Sequence, residues 1–395
     1  MTERTVAADP ARGGRWALPI ALVAFVALGL PDAMLGVAWP SMRATFDQPL
    51  AALGQLLLAG TFGYLTGSTA SGFLSDRFGT RAVLIGSALA WATAMLAFAA
   101  APAWPLLLLG MVALGIGGGG IDAGLNAFVA LRHGPGAMNL LHGCYGIGAT
   151  IGPLVLTAVL AGGRSWRLPY AGLLVLQLVL VAAYALTGRA WGGRRRPREA
   201  AADPVAIPWA LVAASLALFF VYTGVEVATG QWSYTYLITA RSAPQAAAGV
   251  AVSAFWAGLT AGRLAAAAFS ARLAPLTLLN ASVAVTIVAM ALFWWSPAPA
   301  VGYAGLVLAG VGLAAVFPVL VTLTPRRVGQ DVAARVVGLQ LGAAGAGASL
   351  APAGVGVLLQ WGGTALLAPC LVVGAVALTA LHAVATALAH RSPAG

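Results

Sequence analysis

Twelve apolar segments, each long enough to cross a lipid bilayer, constrain the fold of this chain most. They run over residues 16–39, 50–73, 81–100, 105–131, 139–161, 168–188, 207–238, 248–270, 275–296, 300–324, 336–359 and 364–389. About 20 apolar residues in a helix span the hydrocarbon core, and a helix satisfies its own backbone hydrogen bonds there. Only 8% of the 395 residues are charged, against about 25% in a soluble domain. The sequence therefore predicts an all-α integral membrane protein with twelve transmembrane helices.

The arginines predict the orientation of these spans. With the N-terminus inside the cell, 16 of the 21 basic residues fall on cytoplasmic segments, and four fall outside: Arg43, Arg164, Arg167 and Arg241. Because basic residues concentrate in cytoplasmic loops, we expect both termini in the cytoplasm and the protein in the inner membrane. The same rule explains the net charge of +11. The basic run at 194–198 therefore predicts a cytoplasmic loop and not a nucleic-acid site.

Weak internal similarity predicts that the spans form two halves. Three pairs of segments match in the same order: 32–36 with 226–230, 72–79 with 267–274, and 146–153 with 345–352. Parallel half-repeats are typical of transporters. The predicted organisation is a tail at 1–15, a six-helix bundle at 16–188, a basic linker at 189–206, a second bundle at 207–389 and a tail at 390–395.

Two motifs resemble those of a known family. Gly72-Phe-Leu-Ser-Asp-Arg-Phe-Gly-Thr-Arg81 is similar to the loop between spans 2 and 3 of the major facilitator superfamily. An acid four residues before an asparagine in span 4, followed by Asn139-Leu-Leu-His-Gly-Cys-Tyr-Gly-Ile-Gly148, resembles the fucose-permease-like branch of sugar/proton symporters. That branch has Glu where this chain has Asp122. The resemblance implies two pseudo-symmetric six-helix bundles that work by alternating access, with spans 1, 4, 7 and 10 around a central cavity.

Three of the ten acids lie inside predicted spans: Asp32, Asp122 and Glu226. All three fall on helices that the resemblance places at the cavity. An acid within a membrane span is costly and is usually functional, because loss of hydration disfavours its charged form and lets it exchange a proton. We expect Asp122 to be the proton-coupling site, assisted by Asp32 or Glu226. The alternative is that each acid is permanently neutral or bonded to a neighbouring helix.

Four polar or aromatic residues near these acids are candidate solute ligands: Asn126, His142, Gln231 and Trp232. Asn126 follows Asp122 by four positions, so both side chains share one helix face. His142 is also a candidate proton relay. Helix packing, helix capping and an aromatic belt at the membrane interface are the alternative roles.

Four charged residues are candidates for gating. The family resemblance implies that Asp76, Arg77 and Arg81 latch the cytoplasmic face. Arg263 lies within span 8, where a charge needs an acid or carbonyl partner or a path for snorkelling to the interface. It is a candidate latch for the second half or a ligand for an anionic solute.

Glycine-rich stretches at 117–120 and 146–152 lack the residues of a phosphate loop or a dinucleotide fingerprint. They predict close helix contacts instead. No metal cluster or catalytic triad is evident, so we expect neither an enzyme nor a cofactor beyond the proton gradient.

The sequence thus predicts a monomeric proton-coupled importer of a sugar or similar neutral polar solute. A proton-coupled exporter of drugs or metabolites is the first alternative, and a non-transporting membrane sensor is the second.

Overall fold

The computed structural model describes residues 10–133, 135–191, 208–269 and 272–391, and every regular element in these ranges is helical. Twelve helical segments are long and apolar enough to cross a membrane, which confirms the predicted all-α fold. The main helices are Pro10–Thr45, Leu53–Phe78, Thr80–Ala100, Trp104–Arg132, Pro135–Ala161, Arg167–Leu186, Trp209–Ala240, Gln245–Phe269, Pro275–Trp295, Pro299–Ala314 with Val316–Val328, Gln330–Gly362 and Leu367–Arg391. We number them as spans 1 to 12, with the tenth in two pieces.

Span 10 is the broken helix. Its first piece ends at Ala314 and its second begins at Val316. Pro318 has no backbone N–H to donate to the carbonyl of Ala314, four positions earlier, so the helical hydrogen bonding is interrupted there. The predicted length of span 7 is compatible with a tilted helix, a broken helix or one that runs past the interface, and the structure has one continuous helix of 32 residues.

Contacts divide the chain into two compact units. The first consists of Met1–Gly29, Phe62–Gly148 and Arg167–Arg198, and the second of Leu30–Thr61, Ala149–Trp166 and Glu199–Gly395. The second unit therefore contains spans 7 to 12 together with the predicted extracellular ends of spans 1, 2 and 5. The bundle boundaries at 188 and 207 follow from the repeat and stay a prediction.

Glycine contacts of spans 2 to 4 repeat in spans 8 to 10 with a constant offset of 195 positions. A Cβ on Gly63 of span 2 would collide with the carbonyl oxygen of Val112 on span 4, and a Cβ on Gly258 of span 8 would collide with that of Val307 on span 10. Gly117 abuts Trp91, while Gly312 abuts Thr286. In each contact, both residues of the second half are numbered 195 higher than their counterparts in the first half. These helices therefore pack in the same register in both halves. The match of segment 72–79 with 267–274 has this same offset.

Spans 1 and 5 also cross like spans 7 and 11. A Cβ on Gly152 would meet the backbone of Leu30, and a Cβ on Gly224 would lie 2.6 Å from the Cβ of Ala351. In the alignment of segment 32–36 with 226–230, Leu30 corresponds to Gly224. These contacts support the predicted duplication with packing and not only with sequence.

Candidate functional site

Asp122 lies at the centre of a polar cluster in the first unit. Its Oδ2 accepts a hydrogen bond of 2.6 Å from the Tyr64 hydroxyl on span 2, and its Oδ1 accepts one of 2.9 Å from Nδ2 of Asn126. The bond to Asn126 confirms that the two side chains share a helix face. Tyr64 is 40% exposed, and Asp122 and Asn126 are half-buried. The surrounding helices therefore do not fully enclose the cluster.

The four-glycine run ahead of Asp122 brings the neighbouring helices into backbone contact. A Cβ on Gly119 would overlap the Tyr64 carbonyl oxygen, and one on Gly117 would lie 2.5 Å from the Ser87 carbonyl oxygen. Small residues let membrane helices approach this closely. The run was predicted to make helix contacts, and the structure confirms this. Its effect is to fix Tyr64 opposite Asp122.

His142 belongs to the same cluster through span 5. It interacts electrostatically with Asp122, and its ring packs edge-on against Phe25 of span 1 with centroids 5.7 Å apart. The side chain is exposed. The structure thus brings together three of the predicted site residues, Asp122, Asn126 and His142, and adds Tyr64. Their roles in proton coupling and solute binding stay predictions.

The second half of the chain lacks this cluster. At the constant offset of 195 positions, Leu259 and Phe317 stand where the first half has Tyr64 and Asp122. Phe317 packs its ring against Phe219 and Tyr222, with centroids 5.3 and 6.1 Å apart. Duplicated helices with the same packing therefore carry a polar site in one half and an aromatic contact in the other.

A charged pair occupies the second unit instead. Nη2 of Arg263 on span 8 lies 3.4 Å from Oε1 of Glu226 on span 7, and the Tyr222 hydroxyl donates to the other carboxylate oxygen. The side chain of Glu226 is 11% exposed and that of Arg263 is 37% exposed. Arg263 was expected to need an acid or carbonyl partner or a path for snorkelling, and in the structure its partner is Glu226. At the offset of 195 positions, Ser68 stands where the second half has Arg263.

Asp32 and Gln231 meet where spans 1 and 7 touch in the second unit. Nε2 of Gln231 donates a hydrogen bond of 2.9 Å to the backbone carbonyl of Asp32. A Cβ on Gly36 would lie 2.5 Å from the Gln231 carbonyl oxygen. Gln231 is 5% exposed, while the Asp32 side chain is exposed. Gln231 therefore ties two helices together in this conformation, and its predicted contact with solute stays untested.

Trp232 is a packing residue in this conformation. It is fully buried, and its indole N–H donates a hydrogen bond of 2.8 Å to the carbonyl of Pro352. Gly356 of span 11 leaves room for its ring. Trp39, which follows the matching segment in span 1, is equally buried and donates to the Leu50 carbonyl over 3.1 Å. The two indoles thus have similar structural roles.

The candidate gating motif lies at the junction of spans 2 and 3. Asp76 and Arg77 are exposed in the last turn of the span 2 helix, and the Arg77 guanidinium lies 5.4 Å from the Phe78 ring centre. Arg81 donates a hydrogen bond of 2.6 Å to the carbonyl of Ala185 and packs against Gly188. Arg81 therefore caps the end of span 6. A latch formed by these residues stays a prediction.

Sequence reasoning missed two site residues, Tyr64 and Tyr222. Each is a tyrosine inside a span, and a phenol within an apolar helix usually has a hydrogen-bond partner. Tyr222 precedes Glu226 by four positions, so their shared helix face was a usable signal. Tyr64 is 58 positions from its partner Asp122, and no local pattern connects them.

Comparison with known proteins places the chain in a family. The family model described as Major Facilitator Superfamily matches residues 21–352. Bypass of stop codon protein 6 from Saccharomyces cerevisiae is 24% identical over 62% of this chain, and the match spans 54% of the yeast protein. Sodium-dependent glucose transporter 1A from Mus musculus is 23% identical, over 75% of this chain and 79% of that protein. The 3-(3-hydroxy-phenyl)propionate transporter of Escherichia coli is 31% identical over 42% of each chain.

Two solved structures share the fold. The nucleoside transporter NupG has a TM-score of 0.72 and 15% identity, over 94% of this chain and 99% of that one. A bacterial homologue of the human lysosomal transporter Spinster, in an inward-facing unoccupied conformation, has a TM-score of 0.66 and 15% identity over 96% of each chain. The family match covers most of the chain and agrees with the twelve helical spans. The chain belongs to the major facilitator superfamily and is a multi-pass membrane protein.

Proposed function

We propose that this transporter couples inward proton movement to uptake of a small neutral polar solute, a sugar or a similar compound. The hydrogen bonds of Asp122 to Tyr64 and Asn126 are the observation that carries the proposal. A phenol hydroxyl and an amide can each donate or accept. The carboxyl group can therefore keep a hydrogen-bond partner whether or not it carries a proton, as a group that loads and releases protons must.

The second buried acid is less suited to this task. Glu226 has a guanidinium as its partner at 3.4 Å. A proton on Glu226 would leave Arg263 without its counter-charge inside a membrane span, which is costly. We therefore assign proton coupling to Asp122 and ion-pair formation to Glu226.

Hydroxyl-bearing solutes suit the groups around Asp122. Asn126, His142 and Tyr64 supply amide, imidazole and phenol groups at a half-exposed position. A glucose transporter and a nucleoside transporter among the similar proteins favour the same class of solute. The fucose-permease-like resemblance points in the same direction.

Transport by reconstituted vesicles tests this proposal. We expect a panel of sugars to include one that the wild-type protein accumulates with inward proton movement. Asp122→Asn should abolish accumulation driven by a pH gradient and keep exchange of solute across the membrane at equal concentrations. Asp47→Asn is the matched control, because Asp47 is an exposed loop acid, and it should behave like wild type. Full proton-driven accumulation by Asp122→Asn would overturn the assignment.

An organic anion is a second candidate solute. The Arg263 guanidinium is 37% exposed, and the Escherichia coli relative is named for an aromatic carboxylate. A solute carboxylate that replaced Glu226 on Arg263 would leave Glu226 to bind the proton, so one anion and one proton would enter together. In the same vesicles, Arg263→Gln should then abolish carboxylate uptake and spare sugar uptake. Outward drug movement driven by protons would instead identify an exporter, and no flux of any solute would favour a sensor.

A further inference from the structure

Arg327 is a half-buried cation near the predicted cytoplasmic end of span 10. Its Nη2 lies 3.5 Å from the Thr386 hydroxyl of span 12, at the outer limit for a hydrogen bond. No carboxylate lies within salt-bridge distance of it in the part of the chain that the structure describes. The described residues therefore supply its guanidinium with one weak contact only.

The first half shows how the matching arginine is stabilised. Arg132 precedes Arg327 by the constant offset of 195 positions. It donates a hydrogen bond of 2.7 Å to the Ala190 carbonyl, and its guanidinium lies 5.0 Å from the centre of the Phe128 ring. Leu323 takes the place of Phe128 in the second half. Arg327 thus lacks both the aromatic face and the short hydrogen bond of its counterpart.

A buried histidine lies beside the residue that Arg327 contacts. His382 of span 12 is 7% exposed and precedes Thr386 by four positions, so both side chains share one helix face. Its Nε2 lies 2.7 Å from Oδ1 of Asn280 on span 9. Its Nδ1 is buried and has no hydrogen-bond partner among the described residues. An anion at this position would supply an acceptor for Nδ1–H while Nε2–H donates to Asn280.

We propose that Arg327, His382 and Asn280 hold the phosphate of an anionic phospholipid in the predicted cytoplasmic leaflet. A guanidinium binds phosphate through a fork of N–H donors, and basic crevices between transmembrane helices bind acidic lipid headgroups. Asn280 is exposed on span 9 and Arg327 lies one residue from the end of span 10. The site is therefore open to the edge of the bilayer, where a lipid headgroup lies. Phosphatidylglycerol is the probe of choice.

Lipid nanodiscs provide the test for the full-length protein. Discs of phosphatidylcholine alone are compared with discs that also contain phosphatidylglycerol, and native mass spectrometry measures which lipid stays bound. We expect wild type to retain phosphatidylglycerol preferentially, with a higher melting temperature. Arg327→Ala should lower the preference about tenfold, since it removes charge-assisted hydrogen bonds. Arg326→Ala, which removes an exposed neighbouring charge, should keep it.

Further variants separate the outcomes. Asn280→Leu leaves Arg327 and His382 in place and should still weaken retention of phosphatidylglycerol, so the test does not depend on folding of Arg327→Ala. Equal losses in Arg326→Ala and Arg327→Ala would show diffuse attraction of acidic lipids and overturn the site. Glycerol 1-phosphate added to phosphatidylcholine discs tests a soluble source of the same group. Binding of that compound through Arg327 without retention of phosphatidylglycerol would overturn the assignment to lipid.

Discussion

Gly119→Ala should reduce proton-coupled uptake, because the new methyl group would push span 2 away from span 4. The new Cβ would overlap the carbonyl oxygen of Tyr64. Restoring ordinary contact requires spans 2 and 4 to separate by about 1 Å. The hydrogen bond of 2.6 Å from Tyr64 to Asp122 would then lengthen to roughly 3.6 Å, beyond hydrogen-bonding range. Gly118→Ala is the matched control, because its Cβ would lie no closer than 3.8 Å to any neighbour.

The expected effect follows from the energy of that bond. A hydrogen bond to a charged group contributes about 1.5–3 kcal/mol, which corresponds to a fall of roughly 10- to 100-fold in proton-coupled uptake. Both glycine substitutions raise helix propensity equally, by about 1 kcal/mol. Any difference between Gly119→Ala and Gly118→Ala therefore reports the helix contact and not the helix itself.

Reconstituted vesicles with a pH-sensitive dye and labelled solute provide the assay. A double substitution sharpens it: in a Tyr64→Phe background the hydroxyl is already absent, so Gly119→Ala should cost little more. Equal coupled uptake by Gly119→Ala and Gly118→Ala would refute the reasoning. A full additional loss in the Tyr64→Phe background would show that the glycine acts through another contact.

Three further predictions concern the second unit. Trp232→Phe removes the donor to a buried carbonyl of span 11 and should lower the free energy of unfolding by about 1–3 kcal/mol. The melting temperature should fall accordingly. Trp361→Phe, at an 84% exposed site, is the control and should leave the melting temperature unchanged. Glu226→Gln should lower the melting temperature more than Glu226→Gln combined with Arg263→Gln, because the single change leaves a guanidinium without its counter-charge; the opposite order would contradict this. Gly249→Val should collide with span 5 and speed amide exchange at 149–161, and unchanged exchange would count against that contact.

The internal repeat was only partly visible in the sequence. Matches such as 32–36 with 226–230 predicted a duplication. The constant offset of 195 positions emerged from the glycine contacts of Gly63 and Gly258, whose partners lie on other helices. Glycine is so frequent in this chain, at 50 residues, that sequence spacing cannot distinguish a contact glycine from one facing lipid. Gly118 and Gly119 are adjacent and differ in this respect.

Candidate solute ligands show the same limit. Residue type and position in span 7 made Gln231 and Trp232 reasonable choices beside Glu226. The structure buries both in helix packing, one against the Asp32 carbonyl and the other against that of Pro352. A polar or aromatic side chain on a membrane helix can face a cavity, lipid or another helix, and only the neighbouring helices decide among these.

The sequence by itself determined the twelve spans, the acids within them and the shared face of Asp122 and Asn126. These features depend on apolar length and helical period, which are local properties of the chain. Only the tertiary structure placed Tyr64 on Asp122 and Arg263 on Glu226, over separations of 58 and 37 positions. Those pairs depend on the register between helices, which is set by backbone contacts at glycines such as Gly119. A shift of about 1 Å in that register, as Gly119→Ala requires, is enough to break such a pair.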